Sequence, residues 1–419
     1  MPAIPKLERI VKPHLLSINN YFYRRGGAET VFFEHNRLLE EAGWDVVPFA
    51  MRDARNLPTP WSEYFVATID VDAARSVLGR MTDAAKIIYS FEAIRRIRQL
   101  IGLARPSIAH AHNIYHHLSP SILVELHRQG IPVVLTLHDL KVACPAYKMF
   151  VHGAVCERCR GGALRNVIRQ RCIKGSVLMS TLVWLESSAH RLLNVYAGNV
   201  SKFVVPSRFF LSKLEEWGFD PGQFTHIPNF VDTEKLVPGE GRSKAFVYCG
   251  RLAPEKGVAT LIRATAQIRA PLIVVGTGPE ETRLRELAER CGGDVTFTSH
   301  LNGAPLYQTV GSARAVVVPS EWYENAPVSL MEASALGRPV IGAAIGGIPE
   351  LVREGETGWL FESGYVEALA AVLARVQTLP DSVLDEVGRA GRTWMQAEFT
   401  PHHYRDRMLA LYRMLGASV

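Results

Sequence analysis

At 419 residues the chain is too long for one hydrophobic core, and two domains of ordinary size fit it best. Hydrophobic residues make up 47% and charged residues 21%, the balance of a soluble globular protein. The formal charge of +6 favours an anionic partner: a nucleotide, a phospholipid surface or nucleic acid.

The opening segment, MPAIPKLERIVKPHLLSINN, holds no apolar run long enough for a secretory signal. The longest apolar-rich run, VLMSTLVWL at 177–185, falls well short of the ~20 residues a spanning helix needs. A cytoplasmic protein is therefore expected, with peripheral contact on the inner face of a membrane as a further option. Strand-like apolar runs then recur at 15–19, 45–50, 132–138, 202–206, 245–250, 271–276, 294–299, 313–320 and 339–344. Many are followed by segments of helical period, such as GAETVFFEHNRLLEEAG (27–43) and EETRLRELAERCG (280–292). Buried strands separated by helices predict an α/β fold with parallel sheets wound on both faces. The series occurs twice, broken where Pro, Gly and Asn interrupt both periods at 218–232. The expected domains are 1–217 and 233–398, with 218–232 as hinge and 399–419 as a closing helix packing back on the first domain. In such sheets ligands bind beyond the carboxyl ends of the strands, so the loops there are the places to search.

Taken along the chain, those loops hold several candidates. Gly26 and Gly27, in YRRGGAETV, separate a strand from a helix and would let backbone approach a ligand; a plain helix-start loop is the alternative. DVD at 70–72 matches a D-x-D metal element, but three-residue matches arise by chance. Residues 78–106 and 164–185 are basic and amphipathic, and could rest on an anionic leaflet or form core helices with solvated basic faces. His110, His112, His116 and His117 lack a clear ligand spacing, and one or two are expected to line a cleft. His138 and Asp139 end a strand, which favours a functional role for the histidine.

Cys144, Cys156, Cys159 and Cys172 form a C-x2-C knuckle flanked by one cysteine on each side. They could wrap a structural zinc, remain unliganded or, least in keeping with the absent secretory signal, form disulfides. Gly250, Arg251 and Lys256, in CGRLAPEKGVATLI, lie at a strand's carboxyl edge, where cations can stabilise a nucleoside diphosphate leaving group. Finally, WYENAPVSLMEA places Glu324 just before a helix expected to start at Pro327, and Glu332 about one and a half turns inside it. The N–H groups of Val328, Ser329 and Leu330 would face a phosphate. A carboxylate on each side of that phosphate, accepting from hydroxyls, fits a sugar nucleotide. No aromatic-interleaved basic platform indicates nucleic acid.

CGRLAPEKG, VVGTGPE, VVVPSEWYENAPVSLMEASALGRPVI and GGIPELVREGETGWLF together resemble glycosyltransferase family 4, with its E-x7-E signature. The resemblance implies the GT-B fold, two doubly wound Rossmann-like domains facing each other across a cleft. It implies a retaining, metal-independent transferase that moves a sugar from a UDP- or GDP-sugar to a sugar or lipid-linked saccharide acceptor, in polysaccharide or glycolipid biosynthesis. Glu324 would then contact the transferred sugar, Glu332 the ribose, and Arg251 with Lys256 the diphosphate. The donor site would be completed by Asn325, Ala326 and Pro327 through Leu330, the glycine-rich loop at Gly26 and Gly27 would face the diphosphate, and His138 would lie near the sugar. No cofactor is required for that catalysis. A related epimerase or phosphorylase, or a non-catalytic nucleotide-sugar-binding partner, are the other readings the chain leaves open.

Overall fold

The computed structural model describes residues 12–69, 85–239 and 241–417. The D-x-D element at 70–72 and residues 78–84 of the basic amphipathic segment lie outside them.

The first sheet is built from β1 (His14–Ile18), β2 (Asp45–Phe49), β3 (Ile108–Ala111), β4 (Val133–Thr136), β7 (Lys202–Val205) and β8 (Phe224–His226), in the order β2-β1-β3-β4-β7-β8. A two-residue-per-strand hairpin, β5 (Phe150–Val151) with β6 (Ala154–Val155), stands apart from it. The second sheet orders β9 (Phe246–Cys249), β10 (Leu272–Val275), β11 (Val295–Thr298), β12 (Val316–Val318), β13 (Val340–Ala343) and β14 (Gly358–Phe361) as β11-β10-β9-β12-β13-β14. Every pairing in it is parallel, with Val274 beside Tyr248 and Val316 beside Val247. Strands such as VVV and LIVV have no polar alternation because helices cover both faces, and β12 is buried throughout. The strand order reverses between β9 and β12, which makes the crevice at their carboxyl ends the expected ligand position.

The expected strands are present at nearly the expected places, and the α/β doubly wound expectation holds in both sheets. The period rules passed over β3, β8, β14 and the β5–β6 hairpin. β3 reads IAHA: its histidine and small residues dilute the apolar run, yet all four residues are buried. Pro327 lies just outside the helix Val328–Ala335: its φ of −67° suits a first turn, but its ψ of 114° is extended. From the basic segment, the helix Phe91–Ala104 buries Ile94, Ile97 and Leu100 and leaves Phe91 and Leu103 exposed.

Packing divides the chain into two compact units. One comprises residues 1–136, 188–203 and 405–419; the other comprises 137–187 and 204–404. The closing segment 405–419 thus belongs with the first sheet's leading strands, and the cysteine segment 144–172 with the unit that holds the second sheet.

Candidate functional site

The reversal point of the second sheet is assembled by two loops pressed together. After β9 the chain runs through Gly250, whose N–H bonds the Val275 carbonyl at 3.0 Å, and Tyr248 Oη donates to the Arg251 carbonyl at 2.8 Å. A short turn, Pro254–Lys256, leads to Gly257 at φ +67°. A Cβ there would sit 1.8 Å from the Pro319 carbonyl, so only glycine lets the loop after β9 touch the end of β12. The helix Val258–Gln267 then starts directly from it.

That approach delivers Lys256 to Glu324. Its Nζ lies 2.6 Å from Glu324 Oε1 and 4.8 Å from the centre of the Trp322 ring, while Ser320 Oγ donates to the same carboxylate oxygen at 2.7 Å. Burial pushes the Glu324 carboxyl upward, but the Lys256 charge and the two hydrogen bonds outweigh it and hold the group below its ordinary value. Its backbone is clamped from behind by Gly346, at φ +62°, and by Gly347, whose N–H donates to the Glu324 carbonyl at 2.8 Å. Arg251 is exposed at the rim and makes no ion pair among the described residues.

Glu332 is the opposite case. It is half-buried on the helix Val328–Ala335, and its carboxylate makes no hydrogen bond or ion pair among the described residues. Burial alone pushes its carboxyl up to about 7. The Cys249 thiol at the end of β9 is pushed up to about 12, first by burial and then by the Glu332 charge, so the two groups are neighbours.

Asn325 is occupied by the protein itself: Nδ2 donates to the Leu137 carbonyl at 2.8 Å, and Oδ1 accepts from Ser207 Oγ at 2.9 Å. The first bond ties the residue beside Glu324 to the residue before His138. Ala326 offers its carbonyl to Asn229 Nδ2 at 3.0 Å. The Leu330 N–H bonds the Pro327 carbonyl at 3.1 Å, so of the three expected helix-start donors Leu330 is already engaged. Its engagement follows from the tight i to i−3 turn that opens the helix. His138 is half-buried, and burial lowers it to about 4, which keeps the imidazole neutral near pH 7. Ser320, Gly346 and Gly347 were not singled out from the sequence; the glycines stand in a segment quoted there only for its likeness.

At the first sheet, Gly26 precedes the helix Gly27–Glu41 in extended backbone. A side chain at Gly27 would meet no protein atom within 4 Å, and one at Gly26 only Glu29 Oε2 at 3.7 Å. Of the histidines, His110 and His112 are buried. With His35 they form a set whose ring nitrogens lie within 4.8 Å of one another. Both His110 nitrogens already have hydroxyl partners, Tyr412 Oη at 2.5 Å and Thr136 Oγ1 at 2.7 Å, and the His110 and His112 rings stack rather than converge. His117 accepts from the Ile69 N–H at 3.3 Å. The four clustered cysteines line one cavity.

The family profile described as Glycosyltransferase Family 4 matches residues 25–235, half of the chain, and that described as Glycosyl transferases group 1 matches residues 233–394. The chain belongs to glycosyltransferase family 4. Among its relatives is the GDP-mannose-dependent alpha-(1-6)-phosphatidylinositol monomannoside mannosyltransferase of Mycobacterium tuberculosis, 31% identical over 199 residues, 42% of this chain and 51% of that protein. The chain spans about half the length of the curated relatives it matches. Among solved structures, sucrose-phosphate synthase from Thermosynechococcus elongatus aligns with a TM-score of 0.73 at 23% identity, over 97% of this chain and 100% of that one. Anabaena HepE, in complex with UDP-glucose, aligns with a TM-score of 0.68 at 16% identity, over 96% and 99%. At those identities the structural likeness speaks for the fold alone, and the fold is the GT-B fold expected from the motifs.

Proposed function

We propose that this family member transfers a sugar from a nucleoside diphosphate sugar to a hydroxyl acceptor, with retention at the anomeric carbon and without a metal. The observation that carries the reading is the Lys256–Glu324 pair at 2.6 Å, set where the strand order reverses and followed immediately by the helix Val328–Ala335. Charge develops on the diphosphate as the glycosidic bond breaks. Lys256, Arg251 and the helix N-terminus with Val328 and Ser329 answer it. Glu324, kept ionised by Lys256, is available to a sugar hydroxyl; Glu332 has no protein partner to give up when a ribose hydroxyl arrives. His138, neutral through burial, would accept or donate one hydrogen bond beside the sugar without adding charge.

The UDP-glucose complex of HepE and the GDP-mannose dependence of the mycobacterial relative both support a nucleotide-sugar donor. For the acceptor we favour a lipid-linked saccharide in polysaccharide or glycolipid assembly. The helix Val177–Leu192 presents Leu178, Leu185 and Leu192, spaced by seven residues and exposed, just after a strongly basic segment. That combination suits an anionic membrane surface. No helix among the described residues is long and apolar enough to cross a membrane.

The test is calorimetric titration with UDP, GDP, ADP and their common sugar conjugates, repeated on Arg251→Ala. One nucleotide should bind, more weakly after the substitution, and turnover should need no added Mg2+ or Mn2+. No binding of any of them to the folded chain would overturn the reading.

A further inference from the structure

Cys144, Cys156, Cys159 and Cys172 come from three separate stretches and line one cavity, together with apolar Met149 and Val167. The β5–β6 hairpin leads into Cys156, whose N–H returns to the Met149 carbonyl at 2.8 Å. Gly161 and Gly162, at φ +69° and +86°, turn the chain back after Cys159. Backbone N–H groups of Ala146 and Met149 are directed at Cys144, and that of Val167 at Cys159. Burial, then the neighbouring sulfurs, pushes the Cys159 thiol up to about 12 and Cys172 to about 11. Four thiols lining one cavity, with N–H donors aimed at two of them, suit a soft divalent cation.

We propose that these four cysteines bind one zinc ion as a structural clamp on the segment 144–172. Each thiol releases its proton to solvent as its sulfur binds, so Zn2+ and four thiolates leave a net charge of −2. The surrounding stretch 156–174 carries Arg158, Arg160, Arg165, Arg169, Arg171 and Lys174 against the single acid Glu157, which offsets that charge. The sulfurs share the cavity without closing on a point: the set of three ligand atoms within 4.8 Å among the described residues is the histidine one. Binding would draw the knuckle and Cys172 together to sulfur–metal distances of about 2.3 Å.

The clamp reaches the candidate donor site. Glu157, inside the knuckle, accepts from Tyr323 Oη at 2.7 Å and pairs with Lys213 at 3.0 Å. Lys148 pairs with Glu255 at 2.7 Å. Tyr323 precedes Glu324 and Glu255 precedes Lys256, so the cysteine segment braces both members of the pair. This coupling rests on the donor-site reading; metal binding does not.

The experiment is metal analysis of the full chain purified under reducing conditions, followed by Co2+ substitution. About one metal per chain is expected, with thiolate-to-cobalt charge-transfer absorption. Cys159→Ser and Cys172→Ser should each lose that metal, while Cys291→Ser, at a helix end elsewhere, should keep it. Substoichiometric metal with no cobalt band in the wild-type chain overturns the proposal, even if the variants fail to fold. So does metal retained equally in Cys159→Ser, or a reduced-free chain whose four cysteines prove to be paired as disulfides. Chelation should also weaken nucleotide-sugar binding. Metal bound by the cysteines with affinity unchanged on chelation would overturn the brace and leave the donor site standing.

Discussion

The carboxyl ends of the two sheets are made of different chemistry. Beyond β9 and β12 stand charged groups: exposed Arg251, the Lys256–Glu324 pair and unpartnered Glu332. Beyond β1 and β3 stand amides: Asn19 Oδ1 accepts from the Asn113 N–H at 3.0 Å, and Asn20 Nδ2 donates to the Tyr115 carbonyl at 2.7 Å. Beneath them, Tyr412 Oη links His110 and His35, and burial lowers His35 to about 3, leaving it neutral. A buried charge is kept only where something compensates it. The second sheet's end thus carries a compensated ion pair and one uncompensated carboxyl. The first sheet's end sets neutral hydrogen bonds around one buried carboxyl, Glu29, whose pKa burial raises and which Asn113 and Asn19 hydrogen-bond.

The largest test of that contrast is Lys256→Met. Glu324 would stay buried and lose its compensating charge, so stability should fall by about 3 kcal/mol. If the lysine also stabilises the leaving diphosphate, turnover should drop by roughly 10²-fold or more. Urea melts and steady-state rates separate the two. A loss of stability with turnover intact in the remaining folded protein would make the pair purely structural and erase the contrast.

Glu332 sharpens it through pH. Its carboxyl is raised from an ordinary 4.5 to about 7, so the unfolded chain gives up this proton first as pH rises. Its stabilising contribution is complete below pH ~4.5 and is lost as pH rises through about 7. Glu332→Gln removes that loss. At pH 8 the variant should be more stable than the wild type by about 2 kcal/mol, a figure discounted for the residue's partial exposure. Nucleotide-sugar affinity should tighten between pH 6 and 8 in the wild type, as the ionised carboxylate gains a hydroxyl, and stay flat in the variant. A wild-type melting profile that does not fall over that range would contradict the assignment.

Much of this second site could be read from the chain because its residues are close in sequence. Glu324, Pro327 and Glu332 share one loop and helix, and Arg251 to Gly257 share another, so local rules for strand ends and helix starts suffice. What joins the loops could not be read. The Gly257 contact with Pro319, the Gly347 N–H on Glu324 and the Asn325 bond to Leu137 span from tens of residues to nearly two hundred, and nothing in either local pattern encodes its partner. Asn325 shows the consequence: by its place in the motif it belongs to a ligand, and its side chain is spent on the protein. β3 was hidden for a different reason. Its two-residue alternation of alanine with isoleucine and histidine mimics a half-buried strand, although the sheet buries it on both faces.

The smallest expected effect falls on the first sheet, and it divides the two readings of its glycine loop. Gly27→Ala adds a methyl group that meets no protein atom within 4 Å, at a helical position where alanine is the better former. Stability should hold or rise by about 0.5 kcal/mol. If the loop is only a helix start, turnover should be unchanged as well. If a phosphate or an acceptor hydroxyl comes against that backbone, the methyl group occupies the ligand's place, and the Michaelis constant should rise while the melting curve does not move. A protein that is equally stable and less able to use its substrate would mean that the open space above Gly27 belongs to the ligand, because the fold itself makes no use of it.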